Sequence, residues 1–180
     1  MKAKFFFILF LIGSCAFCQV PSGLESSVKK LYTACHDIDI SALTDMLCTS
    51  NDNAYNVLDG YFLNEDSKFR YVFTNVKYKY GPIKVVDGKS YCRIDFRNVV
   101  RVTYFKPIAV ESTQAALKDK FPATSISYDK SRNAFLIVYN AKMAAVSESA
   151  GIWKFAFADN TFPQVSQGCL TENVKKELGL

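Results

Sequence analysis

The only histidine of the chain, His36, lies between Cys35 and Asp37 in the segment CHDIDISALTDML. A cysteine or an aspartate next to a histidine can supply a nucleophile or an acid–base pair, in which the histidine moves a proton. Successive helical residues point about 100° apart, however, and the apolar spacing places Cys35 on the buried stripe of a helix. His36 is therefore expected at the rim or in solvent, and Asp39 and Ser41 are interpreted as residues that join and cap two helices.

Other signatures of catalysis are absent from the sequence. There is no glycine-rich phosphate loop, no paired-carboxylate motif and no second histidine from which to build a Ser-His-Asp set. Asp95 alternates with arginines along one predicted strand, where it is expected to pair with Arg93 or Arg97. The sequence predicts no catalytic residue, no metal site and no cofactor, and it favours a binding domain over an enzyme.

Residues 1–18 are a predicted bacterial signal peptide: two lysines precede an apolar run that is too short to span a bilayer. Two processing sites compete at its end. Ile12-Gly13-Ser14-Cys15 resembles a lipoprotein box, which would put a lipid anchor on Cys15, whereas Ala16-Phe17-Cys18 before Gln19 resembles a signal peptidase I site. We favour plain secretion, because a lipoprotein box usually has leucine where Ile12 stands. The protein is expected to be secreted or to reside in the periplasm or cell envelope, with a membrane contact only through such an anchor.

The remaining chain is predicted to be a flexible lead at residues 19–23 and one domain at residues 24–180, which is long enough for a single core. Loss of the signal leaves a net charge of +3, too little for a nucleic-acid-binding protein. Four cysteines remain: Cys35, Cys48, Cys92 and Cys169. They permit two disulfides in three connectivities. We favour four free, buried thiols, because apolar residues surround Cys48 and Cys92 in the sequence and a core of this size is stable without disulfide bonds.

The N-terminal third is predicted to be helical. Apolar residues recur at spacings of three and four from Leu24 to Ile38; Ser41 is expected to cap a short second helix, and a third includes Ala54 to Tyr61. From Lys68 the period becomes two, with a change of parity before Tyr78 that suggests a bulge. These patterns predict helices followed by a sheet.

The sheet is predicted to be antiparallel, with one helix inserted between its strands. Asp87-Gly88 indicates a hairpin into a long strand over residues 91–106, and Ser112 is expected to cap a helix that ends before Pro122. Strands follow at residues 125–128, 134–146 and 152–158, and a polar helix closes the chain at residues 171–180. The fold class is α+β, with N-terminal helices packed on a curved, mostly antiparallel sheet.

The segment from Asp39 to Leu47 is similar to the aspartate-led joint between the first two helices of the nuclear transport factor 2-like superfamily, and the strand Gly151-Ile152-Trp153-Lys154-Phe155 resembles the closing strand of that family. The resemblance covers most of residues 24–158. It implies a cone-like, cystatin-like fold, a homodimer through the sheet and, in the enzymes of the superfamily, an acid, histidine or tyrosine at the mouth of an apolar cone.

Two binding hypotheses follow. In the first, a hollow cone holds a small apolar ligand among aromatic rings, for which the candidate residues are Tyr32, Tyr139, Trp153, Phe155 and Phe157. In the second, the wet face of the sheet binds an acidic partner, an envelope glycan or a second copy through Arg93, Arg97 and Arg101. An isomerase or cyclase at the mouth of the cone and a cystatin-like inhibitor are the alternatives.

Overall fold

A computed structural model of the protein describes residues 20–49, 52–72, 75–149, 151–158, 161–163, 165 and 168–180. The predicted signal peptide and Cys15 lie outside them. The elements are α1 (Leu24–Asp37), α2 (Ile40–Met46), α3 (Ala54–Phe62), β1 (Ser67–Tyr71), β2 (Tyr78–Val86), β3 (Lys89–Tyr104), α4 (Val110–Lys120), β4 (Ala123–Asp129), β5 (Ala134–Ser149), β6 (Ile152–Phe157) and α5 (Glu172–Leu178). No helix in these ranges is long and apolar enough to cross a membrane.

The two long strands β3 and β5 form the centre of the sheet. They pair antiparallel from Ser90 opposite Ser147 to Thr103 opposite Ala134. On the side away from β5, β3 pairs with β1 along one part of its length and with β2 along another. On the side away from β3, β5 likewise pairs with β4 along one part and with β6 along another. The sheet curls into a half-barrel. This confirms the predicted α+β class, with the N-terminal helices packed on a curved antiparallel sheet.

Residues of the predicted period-two pattern occupy the inner face of the curled sheet, where α1, α2 and α3 cover them. From the helices, Leu24, Val28, Leu31, Leu43, Leu58 and Phe62 are buried, and from the strands Ile94, Val100, Phe135, Ile137, Met143 and Phe155. The stripe of α1 and the alternation of β3 and β5 therefore meet in one core, which the two periodicities predict.

The hairpin between β2 and β3 is confirmed at Asp87-Gly88. Both residues have positive φ, 50° and 78°, as a two-residue turn between twisted strands requires. Glycine takes this conformation without strain, and aspartate tolerates it better than most residues. The turn thus fixes the register in which the long strand β3 begins.

The predicted bulge before Tyr78 is instead the passage between two strands. β1 ends at Tyr71 and β2 begins at Tyr78, and each pairs separately with β3. Phe73, which lies between these two strands, is outside the described residues. Within the pairing of β2 with β3, a register shift lies between Tyr80 and Ile83, at Gly81-Pro82.

Two helices begin earlier than expected. Asp39, and not Ser41, is the N-cap of α2, and its carboxylate accepts a hydrogen bond from the backbone nitrogen of Ala42 at 3.0 Å. Helix α4 likewise starts before Ser112, whose hydroxyl donates to the carbonyl of Ala109 at 3.1 Å from within the first turn. A serine near a helix start can bond in either direction, so its presence alone does not locate the cap.

The last helix, α5, packs on the outer face of the sheet. The helix predicted at residues 171–180 is present, with Thr171 as its N-cap. It buries two apolar side chains against the sheet in a small second core that contains Val86, Tyr91, Ala144, Val146, Val174 and Leu178. Helix α5 therefore covers one half of the outer face. Because of this cover, Ala144 and Val146 are buried although their side chains point away from α1.

A disulfide joins Cys48 to Cys169, whereas Cys35 and Cys92 are free and buried. The expectation of four free thiols was therefore wrong for two of them. Cys48 follows α2, and its backbone nitrogen donates to the carbonyl of Phe155 in β6 at 2.8 Å. Cys169 precedes α5, which the fold brings to the same place, so a pair 121 residues apart in sequence meets in space.

Candidate functional site

The five aromatic residues predicted to line a ligand cavity all lie in the packed interior. None of Tyr32, Tyr139, Trp153, Phe155 and Phe157 is more than 8% exposed. Tyr32 and Phe157 border a cavity of about 10 Å³, whereas the other three do not. A space of this size holds about one water molecule. Ligand binding by these rings would need the core to repack, and it stays a prediction.

The interior also contains a polar cluster that the sequence analysis missed. Asn98 is fully buried on the inner face of β3. Its amide nitrogen donates to the hydroxyl of Tyr139 at 2.9 Å, and its carbonyl oxygen accepts from the hydroxyl of Tyr32 at 3.3 Å. The hydroxyl of Thr161 donates to Tyr139 at 3.3 Å. The sequence offered one signal for this cluster: Asn98 is polar at an inward-facing position of β3, between the apolar residues Phe96 and Val100.

The described contacts of this cluster have a structural role. Its groups are amides and hydroxyls, and the hydroxyl of Tyr32 also donates to the carbonyl of Val72 at 3.2 Å. Such a satisfied network holds α1 against β3 and β5. Among the described residues of the cluster there is neither a carboxylate nor an imidazole.

The segment around His36 separates its reactive groups. The imidazole Nδ1 lies 2.8 Å from a carboxylate oxygen of Asp37 at the surface, whereas the side chain of Cys35 is buried in the core. Burial raises the pKa of the Cys35 thiol, because the thiolate would lose its hydration. Asp39 is occupied as the cap of α2. Cys35, His36 and Asp37 therefore form the last turn of α1, and their reactive groups do not converge on one site.

Cys92, the second free and buried cysteine, also has a thiol with a raised pKa. Burial raises the pKa of Cys92 to about 11, and its thiol donates to the carbonyl of Gly81 at 3.3 Å. Both free thiols are therefore protonated at neutral pH, which makes them poor nucleophiles. Across the described part of the chain, no three His, Cys, Asp or Glu side chains lie close enough to hold a metal ion.

The three arginines predicted to bind a partner all lie on the outer face of β3, but they have different surroundings. Arg93 donates from Nε to Asp95 at 2.9 Å and from Nη1 to the carbonyl of Gly179 at 2.7 Å. It pairs with Asp95, as expected, and it also binds the C-terminal end of α5, where a cation is favourable. Arg93 therefore has an intramolecular role, and its part in partner binding stays a prediction.

Arg97 and Arg101 lie on the half of the outer face that α5 leaves uncovered. Arg101 stands directly opposite Arg70 of β1, and Arg97 stands opposite Asn140 of β5. Lys68 is next to Arg70 on the same face, opposite Thr103. We call Lys68, Arg70, Arg97 and Arg101 the basic face. Within the described ranges none of these four side chains forms an ion pair.

Apolar side chains occupy the middle of this surface. Val99, Leu136 and Val138 share the outer face with Arg97 and Arg101, and all three are partly exposed. Asp95 lies two residues before Arg97 on the same face but is paired with Arg93. Asp129 of β4 is engaged with Ser131 and Arg132, whose hydrogen bonds lower its pKa to about 2. The uncovered half of the sheet is therefore an apolar strip bordered by cations without opposite charges across the strands.

Comparison with family models, with curated proteins and with solved structures finds no match for this chain. The resemblance to the nuclear transport factor 2-like superfamily therefore stays a prediction, and the functional assignment depends on the geometry of the surfaces.

Proposed function

We propose that the chain is an exported, non-catalytic interaction domain of a bacterial envelope, which binds an acidic protein partner through the basic face. The observation that carries the proposal is the juxtaposition of Arg70 and Arg101. Like charges directly opposite each other destabilise an antiparallel pair, and no acid across the strands compensates them. A partner with carboxylates would remove this repulsion and form paired hydrogen bonds with the guanidinium groups.

The charge pattern favours an acidic partner over a second copy of the chain. In a two-fold symmetric dimer the same patch meets itself. Four cations of one copy would then approach four cations of the other, with only the strip of Val99, Leu136 and Val138 to offset the repulsion. The homodimer expected from the family resemblance is therefore the less favourable occupant of this face.

Export is supported by two features. The N-terminal 18 residues have the three-part pattern of a secretory signal. The disulfide between Cys48 and Cys169 is of the kind that persists in oxidising compartments. Mass spectrometry of the mature N-terminus tests this step: a chain beginning at Gln19 supports secretion, a lipid on Cys15 supports an anchor, and an intact Met1 contradicts export.

The partner proposal is tested with a ten-residue oligoglutamate peptide as the probe. Its binding is measured by isothermal titration calorimetry at low salt, where exposed charges are least screened. The variant Arg97→Gln/Arg101→Gln removes two cations from the basic face, and Lys29→Gln/Lys30→Gln removes two exposed lysines from α1 as the matched control. We expect the first variant to weaken binding about tenfold and the second less than twofold.

Two outcomes would overturn the proposal. Equal weakening by both variants would mean that the peptide responds to net charge alone. A concentration-dependent dimer in sedimentation experiments that the arginine variant abolishes would make a second copy the occupant. All four substituted residues are away from the main core, so unchanged thermal unfolding serves as the control for folding.

A further inference from the structure

A groove lies between the end of α3, the helix α4 and the inner face of β1 and β3. It has a volume of about 420 Å³, which is within the range of small-molecule sites. Its floor comprises side chains of the inner sheet face, and its rim comprises residues of the two helices. The groove is separate from the filled interior beneath α1, and the sequence analysis assigned nothing to it.

Aromatic rings form the walls of the groove. The ring centres of Tyr61 and Phe69 lie 4.6 Å apart. Phe69 and Phe121 are nearly parallel, with an angle of 9° between their planes and 6.2 Å between their centres. Leu117 adds an aliphatic side chain from α4. Phe69, Phe121 and Leu117 are themselves 5%, 2% and 7% exposed, so they form an apolar floor, and the partly buried ring of Tyr61 is more accessible than these three side chains. A planar ring packs well on such aromatic surroundings.

One cation lies among these rings. The ammonium of Lys120 is 5.3 Å from the centre of the Tyr61 ring and 5.6 Å from that of Phe121. Lys120 is an exposed residue as a whole, and partial burial near the rings lowers the pKa of its ammonium. None of the ion pairs within the described residues includes it. A partly desolvated ammonium whose neighbours are ring faces is short of a negative charge.

We propose that this groove binds a small planar aromatic carboxylate, whose ring packs against Tyr61, Phe69 and Phe121 and whose carboxylate pairs with Lys120. The volume accommodates about two fused rings with one acidic group. Tyr104 and Thr113, which each carry a hydroxyl, also line the groove. This ligand site is independent of the basic face, which lies on the other side of the sheet.

The test compares 2-naphthoate with 2-naphthamide, which has the same ring and no charge. Isothermal titration calorimetry measures both with the purified protein. The variant Lys120→Met keeps an unbranched side chain of similar length but removes the cation, and Lys118→Met makes the same change at an exposed position on the same helix outside the groove. We expect Lys120→Met to weaken naphthoate binding about tenfold, with naphthamide binding and the Lys118→Met protein unchanged.

A second variant tests the groove itself without removing charge. Ala116 lines the rim and is exposed, so Ala116→Phe fills the space with little effect on folding. It is expected to weaken both probes. The proposal is overturned if naphthoate and naphthamide bind equally and Lys120→Met changes neither, if Lys118→Met matches Lys120→Met, or if octanoate binds more tightly than naphthoate. The Arg97→Gln/Arg101→Gln protein should bind naphthoate normally, and a loss there would place the anion on the basic face.

Discussion

The disulfide between Cys48 and Cys169 should contribute a large part of the stability of this domain. We consider the double variant Cys48→Ala/Cys169→Ala. The bond closes a loop with a sequence separation of 121 residues, and the loop-entropy relation for such a length gives about 5 kcal/mol, of which engineered and native bonds commonly deliver 2–4 kcal/mol. Domains of this size have a total unfolding free energy of roughly 5–15 kcal/mol. The expected loss is therefore a sizeable fraction of the total.

The variant should nevertheless fold, because other contacts hold the same segments. The backbone bond from Cys48 to Phe155 does not involve the sulfur atoms. Helix α5 keeps Val174 and Leu178 in the second core and its hydrogen bond with Arg93. The loss should then appear as a lower unfolding free energy and as faster hydrogen exchange in α5, which depends most directly on the bond.

Urea unfolding followed by the fluorescence of Trp153, the single tryptophan, measures the effect. Its indole is 8% exposed, and its N–H donates to the carbonyl of Ser22 at 3.4 Å, so unfolding changes its environment. We expect the double variant and the reduced wild-type protein to lose about 2–4 kcal/mol each. A loss below about 1 kcal/mol in both, or unchanged exchange in α5, would refute the reasoning.

Three further predictions concern single groups. Asp39→Ala should cost about 1 kcal/mol, because it removes the cap of α2, whereas Ser41→Ala should cost little; equal costs in urea unfolding would contradict the observed cap. Asn98→Leu should cost about 2 kcal/mol, since it removes one hydrogen bond from each of two buried tyrosine hydroxyls, and Tyr139→Phe in that background should cost less than it does alone; additive losses would argue against coupling. The amine of Lys120 should titrate below an ordinary lysine in an NMR pH titration, because burial disfavours its charged form; an ordinary value would remove that part of the argument for the groove.

The elements of the fold were predictable because their signals are local. The stripe of α1 and the alternation of β3 and β5 follow from helix and strand periods of 3.6 and two residues. The hairpin at Asp87-Gly88 needs only two residues with positive φ. The N-caps were less predictable, since Asp39 and Ser41 are both good capping residues and only the backbone decides between them.

The features that the sequence did not predict depend on distant partners. The disulfide joins residues 121 apart in the chain, and Asn98 meets Tyr32 and Tyr139 at separations of 66 and 41. Whether the interior is hollow depends on how side-chain volumes add up, which spacing does not show. Arg93 was correctly placed on the outer face, but α5, which begins nearly 80 residues later, determines that it binds the C-terminal end of that helix.

The two proposed sites occupy opposite faces of the same strand pair. Along β1, Phe69 faces the groove and Arg70 the basic face; along β3, Val102 and Arg101 are divided in the same way. A ligand on one face would affect the other only by moving this pair, and such a coupling must be equal in both directions. Because β3 is held along its length by β5, we expect independent binding: the affinity for 2-naphthoate should change less than twofold when oligoglutamate is saturating. A larger change would mean that β1, the short edge strand, shifts when either site is filled.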